Sequence, residues 1–216
     1  SVLIISGLLL VLDAGLTLVW QEPVTAVIGL IKRGQINQGY LSAPLTVIDA
    51  HALRSLSTIN ERIAFLARRE QRQVPAGAGI GRLVIGRISS SFEVVQGTDT
   101  SSLEKGPGHY PATAFPGLGQ TVAIAGHRTT YLEPFRHIDD LRAGDKIELK
   151  MPYADFTYVV QSRKIVQPTA LWVTNNVGYD RLVLSACNPL YSAAQRIIVF
   201  ARLQAVRPIG AARPRA

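Results

Sequence analysis

The second half of the chain is a succession of short strand-forming runs separated by turn residues. Seven runs rich in β-branched residues follow one another: RLVIG, SFEVV, TVAIAG, KIELK, FTYVVQSRKIV, RLVLSA and RIIVFARL. Clusters of Gly, Pro, Asn and Asp lie between them. Many short strands with such spacing are typical of an all-β sandwich or barrel. The sequence therefore predicts a mainly β domain over residues 79–204.

The start of the chain is strongly apolar. Between residues 1 and 20 the only charged side chain is Asp13, and a helix of about 20 apolar residues can cross a bilayer. We therefore predict a transmembrane signal anchor over residues 1–23. The alternatives are a cleaved signal peptide and a buried core helix, although no persuasive cleavage site is visible.

A helical segment is predicted between the apolar start and the strands. Apolar residues recur there every three or four positions: Leu53, Leu56, Ile59, Ile63 and Leu66. This period indicates one apolar face of a helix, and the arginines off that stripe, Arg69 among them, indicate a solvated face. The run VPAGAGIG then ends the helical pattern. We interpret residues 24–78 as a helical stalk or brace.

The chain is basic, with a formal net charge of +8 and a sequence pI of about 10.0. Such a balance favours a negatively charged neighbour, which could be nucleic acid, an anionic membrane or an acidic polymer. The last residues, 205–216, are basic and rich in Pro, Gly and Ala, with no apolar pattern. They are predicted to form a disordered tail.

The chain has a single cysteine, so no intramolecular disulfide can stabilise it. A lone thiol is either a small buried apolar group or a reactive one. Cys187 follows RLVLSA and precedes Pro189, which places it where a strand ends and a loop opens. Arg196 begins the next strand. If the two strands are neighbours, thiol and guanidinium face one groove, and a nearby cation favours the thiolate.

His127 has a context that matches that of Cys187, because it too follows an apolar strand. A cysteine nucleophile needs a base or an imidazolium partner that is near in space but distant in sequence. His127 and Cys187 are therefore a candidate catalytic pair. The alternative is a hydrogen-bonded loop histidine and a structural cysteine.

The other histidines are weaker candidates. His51 lies on the predicted helix and His137 precedes two acidic residues, while His109 lies in the loop GPGHYP, which could line a groove. None of them has the spacing of a metal cage, and one cysteine cannot build a zinc site. We predict neither a metal nor another cofactor.

The segment TVAIAGHRTTY, followed about sixty residues later by LVLSACNPLYSAAQRIIVF, resembles the sortases of Gram-positive bacteria. The family's catalytic triad is a histidine, a cysteine after a β-strand and an arginine nine residues further on. These positions are His127, Cys187 and Arg196 here. The AGHRTTY and CNPxYSAAQR forms are most similar to the class E sortases of actinobacteria.

The resemblance implies a sortase-type eight-stranded β-barrel over residues 79–204, preceded by the transmembrane and membrane-proximal helices. It implies that Cys187 attacks the carbonyl after Thr in an LAxTG-like or LPxTG-like C-terminal sorting signal of a surface protein. An amine of a lipid II-like peptidoglycan precursor then resolves the acyl-enzyme. His127 would be the charged partner that protonates the leaving amine, and Arg196 would stabilise the transition state.

The resemblance also implies a place of action and a set of substrate contacts. The enzyme would be a single-pass membrane protein with its catalytic domain outside the cell, and it would not bind nucleic acid. Tyr110 is the candidate for choosing LAxTG over LPxTG. The other substrate-binding candidates lie beside the motifs: His109, Tyr131, Ser185, Ala186 and Asn188. Many sortases carry Thr-Leu-x-Thr-Cys where this chain reads LVLSAC, so the hydroxyl pattern before the cysteine differs.

Three functions remain as alternatives. The first is an anchoring transpeptidase, which the lack of an Asp-Pro pair in the chain favours over a pilus polymerase. The second is a pilin-linking or mainly hydrolytic sortase. The third is a non-catalytic, membrane-tethered β-barrel binding module, in which Cys187 is inert and the basic charge suits anionic wall polymers.

Overall fold

The structure is a computed structural model that describes residues 2–19, 23–36 and 44–213. Eight strands are present in this part of the chain: β1 Gly79–Ile85, β2 Ser90–Gln96, β3 Gly108–His109, β4 Thr121–Ala125, β5 Lys146–Lys150, β6 Ala154–Val166, β7 Arg181–Asn188 and β8 Gln195–Pro208. Seven coincide with the strand-forming runs of the sequence. The eighth, β3, is two residues long and lies in GPGHYP, whose Gly and Pro content indicated only a loop.

The strands close into a barrel in the order β1-β2-β3-β4-β7-β8-β6-β5. The β2–β3 and β4–β7 pairs are parallel, and the other neighbouring pairs are antiparallel. The predicted eight-stranded barrel is therefore confirmed. Since β5 and β6 lie between β4 and β7 in sequence but not in the barrel, the ends of β4 and β7 meet although about sixty residues separate them.

Side-chain alternation along the strands fills the barrel. In β5 the residues Ile147 and Leu149 are buried, whereas the three charged residues of Lys146–Lys150 are exposed. This period of two is what a strand with one face on a core requires. The large side chains of Phe115, Phe156 and Tyr158 are fully buried in the same core.

Five α-helices lie in the described residues: α1 Val2–Val19, α2 Pro23–Gly34, α3 Val47–Ser55, α4 Ile59–Gln73 and the short α5 Thr100–Leu103. The single apolar stripe of the sequence thus belongs to two helices, α3 and α4. They separate because Thr58 caps α4: its hydroxyl accepts from the Glu61 amide at 3.2 Å, and the Glu61 carboxylate accepts from the Thr58 amide at 2.9 Å. This reciprocal capping box is a strong helix start.

Helix α4 packs against the barrel through Ile63, Leu66 and other apolar residues that join the main core. One prediction about this helix was wrong. Arg69, assigned to a solvated face, is buried and forms ion pairs with Asp49 and Glu70, each at 3.0 Å. A buried guanidinium is tolerated when carboxylates pair with it, so Arg69 makes a polar contact within the protein, whereas Arg68 and Arg72 of the same helix are exposed.

The predicted transmembrane anchor over residues 1–23 stays a prediction. Among the residues that the structure describes, no helix is both long enough and apolar enough to cross a membrane. The part of that range at residues 1 and 20–22 lies outside the described residues.

The C-terminal residues are more ordered than predicted. The predicted disordered tail, 205–216, contains the end of β8 and the 3-10 helix Gly210–Ala212. Arg62 of α4 holds this end, because its guanidinium donates to the Ala211 carbonyl at 2.8 Å. The prediction of disorder is therefore wrong where the structure describes this segment, and residues 214–216 lie outside the description.

Candidate active site

The parallel strands β4 and β7 bring two predicted catalytic residues to one edge of the barrel. Their register pairs Ala125 with Ser185, and the Gly126 amide donates to the Ser185 carbonyl at 3.0 Å. His127 and Cys187 each lie two residues beyond that register pair. Because neighbouring parallel strands end at the same edge of a sheet, both residues are at this end of the barrel.

The antiparallel pair of β7 and β8 places Arg196 directly opposite Cys187. Directly opposed residues on such a pair extend from the same face of the sheet, with Cβ atoms about 5 Å apart. The Nη1 atom of Arg196 donates to the carbonyls of Ala193 and Gln195, both at 2.9 Å. These bonds fix the guanidinium beside the β7–β8 loop.

Cys187 is half-buried and opens into a pocket of 330 Å³ between the segment after His127 and the β7–β8 loop. The pocket is lined by Arg128, Thr129, Thr130, Cys187, Pro189, Tyr191, Ser192 and Ala193. A thiol at a concave, partly exposed position has the access that a nucleophile requires.

The environment of His127 favours a neutral imidazole. Burial lowers the pKa of His127 from its ordinary value of 6.5, and the negative charge of Glu104 opposes this effect. The Tyr131 ring lies 5.3 Å from the imidazole centroid to centroid, and its hydroxyl donates to Glu104 at 3.3 Å. The sequence analysis expected a charged partner for the thiol, whereas burial favours the neutral form of His127.

A second buried apolar cluster lies on the outside of the barrel, on the Cys187 side of β7. Strand alternation puts Val183 and Ser185 on the same face as Cys187. Val183 belongs to a small cluster with Ala123, Val173, Ile198 and Phe200, against which Tyr110 packs. Val173 comes from the 3-10 helix Leu171–Thr174 in the β6–β7 connection. The cluster forms an apolar floor on β4, β7 and β8 near the thiol, and its side chains are at most 7% exposed.

Comparison with known families agrees with this geometry. A model of the sortase domain matches residues 83–204. The chain belongs to the sortase family.

Two relatives illustrate where this sortase lies within the family. Sortase D of Bacillus subtilis (strain 168) is 33% identical over 131 residues, which are 58% of this chain and 64% of that protein. Sortase SrtE1 of Streptomyces coelicolor is 27% identical over 186 residues, which are 78% of this chain and 53% of that protein. The matches thus span less than two thirds of either relative.

Solved structures show the same fold. Sortase E from Streptomyces avermitilis aligns with a TM-score of 0.57 and 34% identity over 65% of this chain and 97% of that one. Sortase E1 from Streptomyces coelicolor, solved with a tripeptide in its active site, aligns with a TM-score of 0.59 and 28% identity over 61% and 91% of the two chains. These relatives support the class E assignment.

The structure does not place His109 in the groove of this sortase. His109 is fully buried, with its Nδ1 atom 2.9 Å from Oε1 of Gln96 and its Nε2 atom 3.0 Å from the Ala114 carbonyl. Burial lowers the pKa of His109 to about 4. The assignment of this histidine as a substrate contact was wrong, because its loop turns inward as strand β3.

The candidates on β7 face different directions. Ala186 is buried in the main core and therefore does not reach substrate, contrary to the prediction. Ser185 lies on the same face as Cys187 but is only 5% exposed. Asn188 accepts from Arg128 at 3.3 Å and donates to Gln195 at 3.3 Å, so its amide has partners within the protein. Of these candidates, only Ser185 lies on the strand face that carries Cys187.

Two charged residues near the triad escaped the sequence analysis. Arg128 directly follows His127 and is buried, yet an arginine after a strand usually indicates a solvated loop. Glu104 lies at the end of α5 and interacts with His127, Tyr131 and Lys32, the last at 3.3 Å. No sequence pattern around Glu104 indicated that it contacts His127. Arg128 could have been identified, because it directly follows a candidate catalytic residue.

Proposed function

We propose that this sortase is a cysteine transpeptidase that cleaves a C-terminal sorting signal of LAxTG or LPxTG type between Thr and Gly. It then transfers the surface protein to an amine of a lipid II-like peptidoglycan precursor. The observation that supports this most directly is the register of β7 and β8, which sets Arg196 opposite Cys187. His127 lies at the matching position beyond the adjacent strand β4.

Acylation begins at the Cys187 thiol. The neutral His127 imidazole accepts the thiol proton while the sulfur attacks the Thr carbonyl carbon, and the carbonyl π electrons move onto oxygen. When they return, the C–N bond to Gly breaks. The imidazolium then gives its proton to the departing glycine amine. The product is a thioester between Cys187 and the Thr of the surface protein.

Deacylation repeats the same proton transfers with a new amine. The acceptor amine attacks the thioester carbonyl, and His127 takes the amine proton as the new C–N bond forms. The Cys187 thiolate leaves and is protonated again by the imidazolium. Because amide and thioester differ little in geometry, one set of donors serves both steps.

Arg196 is assigned the stabilisation of the oxyanion. Its guanidinium extends from the strand face that carries the thiol, where the negative charge develops in both steps. A planar group with several N–H donors can bond the oxyanion and the substrate backbone together.

The apolar floor is assigned to the sorting signal. An extended peptide that enters beside the half-buried Tyr110 would set its apolar residue against the edge of this floor and its Thr carbonyl near Cys187. Tyr110 packs on this floor, and its ring would occupy space beside the second residue of the signal. We propose that Tyr110 determines the preference for Ala over the bulkier Pro at the second position of the signal.

The family is one of cell-surface enzymes, and we assign this member a single-pass anchor at the membrane. The described apolar side chains near the start of α1 are exposed, with Val2 at 77% and Leu3 at 88%. Apolar side chains without a protein partner favour insertion into lipid. The catalytic barrel would then lie on the extracellular face, where both the surface proteins and the precursor amine occur.

The test is cleavage of two fluorogenic peptides, one containing LAxTG and one LPxTG, by the full chain in detergent micelles. Cleavage by wild type that is lost in Cys187→Ala is expected, with faster cleavage of LAxTG. With added triglycine, mass spectrometry should show the peptide–triglycine adduct rather than the hydrolysed acid. Hydrolysis alone would support the hydrolytic alternative. No cleavage of either peptide, together with a Cys187 that resists iodoacetamide, would contradict the transpeptidase and favour the binding module.

A further inference from the structure

The buried Arg128 connects the segment of the catalytic histidine to the strand of the catalytic cysteine. Its Nη1 atom donates to Oδ1 of Asn188 at 3.3 Å and lies 3.5 Å from the carbonyl of Cys187. Its Nε and Nη2 atoms donate to the Arg136 carbonyl at 3.2 and 3.1 Å. The Nη2 atom also pairs with Asp139 at 2.7 Å. One side chain thus joins three separate backbone segments.

This connection joins β4 and β7 beyond the point where the backbone hydrogen bonds between these two strands end. The Gly126 amide donates to the Ser185 carbonyl, and the next bond of an evenly spaced parallel ladder would reach the carbonyl of Cys187. Here the guanidinium of Arg128 approaches that carbonyl. The side chain therefore links β4 and β7 one step beyond the last backbone bond, at the level of His127 and Cys187.

Asn188 carries the connection to the third strand. An arginine can only donate hydrogen bonds, so the Asn188 amide must turn its oxygen toward Arg128. Its nitrogen then faces β8 and donates to Oε1 of Gln195 at 3.3 Å. Asn188 and Gln195 are also direct cross-strand partners. A polar chain therefore runs from Arg128 through Asn188 to Gln195.

Each member of this chain is the immediate neighbour of a catalytic residue. Arg128 follows His127, Asn188 follows Cys187, and Gln195 precedes Arg196. On β7 and β8, adjacent side chains point to opposite faces of the sheet. The amides of Asn188 and Gln195 thus lie on the strand face opposite Cys187 and Arg196, while Arg128 also lines the Cys187 pocket.

We propose that Arg128, Asn188 and Gln195 form a polar bridge that sets the spacing of His127, Cys187 and Arg196. These three are positioning residues, which act through their catalytic neighbours. The bridge is needed because His127 lies beyond the end of β4, whereas Cys187 and Arg196 lie in the paired strands β7 and β8. The β7–β8 loop is exposed at Pro189, Tyr191 and Ala193. Without the bridge, the segment that carries His127 would move independently of the two strands.

The inference rests on the proposed transpeptidase activity, and it predicts a loss in turnover and not in substrate affinity. A misplacement of about 1 Å can cost about a hundredfold in rate. In the full chain, Arg128→Lys keeps the buried charge opposite Asp139 but loses the forked geometry. Asn188→Leu keeps a side chain of similar size but removes the hydrogen bonds to Arg128 and Gln195. We expect each to lower kcat about 10- to 100-fold, with KM within about threefold of wild type.

Two further variants separate positioning from general stability. Asn188→Asp still accepts from Arg128, and the Gln195 amide can rotate to donate to it, so kcat should recover to within about threefold of wild type. Arg62→Lys is the matched control, since Arg62 also donates to backbone carbonyls, those of Leu53 and Ala211, but on α4 far from the triad. It should lower the melting temperature and leave kcat unchanged.

The reaction of Cys187 with iodoacetamide as a function of pH provides a readout that needs no substrate. Bridge variants should shift this profile, because they change the distance from the thiol to His127 and Arg196, whereas Arg62→Lys should not. If Arg128→Lys or Asn188→Leu fails to fold, Gln195→Ala at a half-buried position makes the same test. Folded bridge variants with wild-type kcat and an unshifted alkylation profile would overturn the inference. A wild type that cleaves no peptide would contradict the proposed activity, and the alkylation profiles would still decide on the bridge.

Discussion

Cys187 and Arg196 are direct cross-strand partners on β7 and β8. Their proximity therefore follows from sheet register and not from a flexible loop, although the β7–β8 loop separates them in sequence. A guanidinium in this position can serve the transition state only through its forked donors. The geometry of the donors, and not the charge alone, should control the rate.

Replacement of Arg196 by lysine tests this geometry. We expect Arg196→Lys to lower kcat/KM by about 100- to 1000-fold, because loss of one oxyanion donor typically costs about 3–4 kcal/mol. The matched control is Arg202→Lys, which lies on the same face of β8 opposite Arg181, away from the thiol. Cleavage of the fluorogenic peptide measures both. Equal activity of the two lysine variants would argue that Arg196 acts only as a positive charge.

Strand ends leave clear marks in a sequence, and these marks selected the candidate catalytic residues. His127 and Cys187 each follow an apolar strand, and a short loop leads from Cys187 to Arg196. What the sequence could not show is that β4 and β7 are parallel neighbours, since that pairing depends on where β5 and β6 lie in the barrel. The local pattern indicated His127 and Cys187 as a candidate pair with an inert alternative, and the resemblance to sortases favoured the catalytic interpretation.

The errors also have physical causes. His109 lies between glycine and proline residues that indicate a loop, but two residues of this loop form β3 and direct the imidazole into the core. Ala186 was chosen for its position beside Cys187, although alternation along a strand puts adjacent side chains on opposite faces. Arg128 was overlooked because arginine is rarely buried. Its burial requires several acceptors from distant segments, which no local pattern reveals.

The pH dependence of catalysis should reflect the two opposing effects on His127. Burial lowers the pKa of His127 and the Glu104 carboxylate raises it. Glu104→Gln removes the raising effect, so the pKa of His127 should fall further and the acid limb of kcat/KM should move to lower pH. The pH profile of peptide cleavage measures this shift. Asp155→Asn, on β6, is the control, and an identical displacement in that variant would contradict a specific effect of Glu104.

The buried His109 should make stability depend on pH. Its pKa is about 4 in the folded state, against an ordinary value of 6.5. Between these values the unfolded chain binds a proton that the folded chain does not, so stability falls as pH decreases from about 6.5 to about 4, by roughly 3 kcal/mol in total.

His109→Gln should flatten this part of the stability profile. Glutamine keeps polar atoms near Gln96 and Ala114 but has no group that titrates in the window. Urea unfolding of the full chain at several pH values measures the slope, and His51→Gln, at an exposed position of α3, is the matched control. An unchanged slope in His109→Gln would show that groups other than His109 cause the pH dependence.

Helix α2 packs closely on the loop that follows His127. A side chain added at Gly29 therefore tests this contact. A Cβ atom at Gly29 would lie 3.1 Å from the Tyr131 Cα atom and 3.2 Å from Cγ of Leu132. In this loop Tyr131, Leu132 and Glu133 have positive φ angles of 50°, 67° and 48°. Such backbone costs about 1 kcal/mol or more per residue and persists only where neighbours hold it.

Gly29→Leu should therefore push α2 away from the loop and loosen the segment that carries His127. We expect kcat to fall about tenfold. The pH profile of Cys187 alkylation should also shift, as it does in the bridge variants. Gly34→Leu is the matched control on the same helix, because a Cβ atom at Gly34 would meet nothing within 4 Å. If both leucine variants cleave the peptide at the wild-type rate, α2 is a spacer, and the loop conformation is held by the barrel alone.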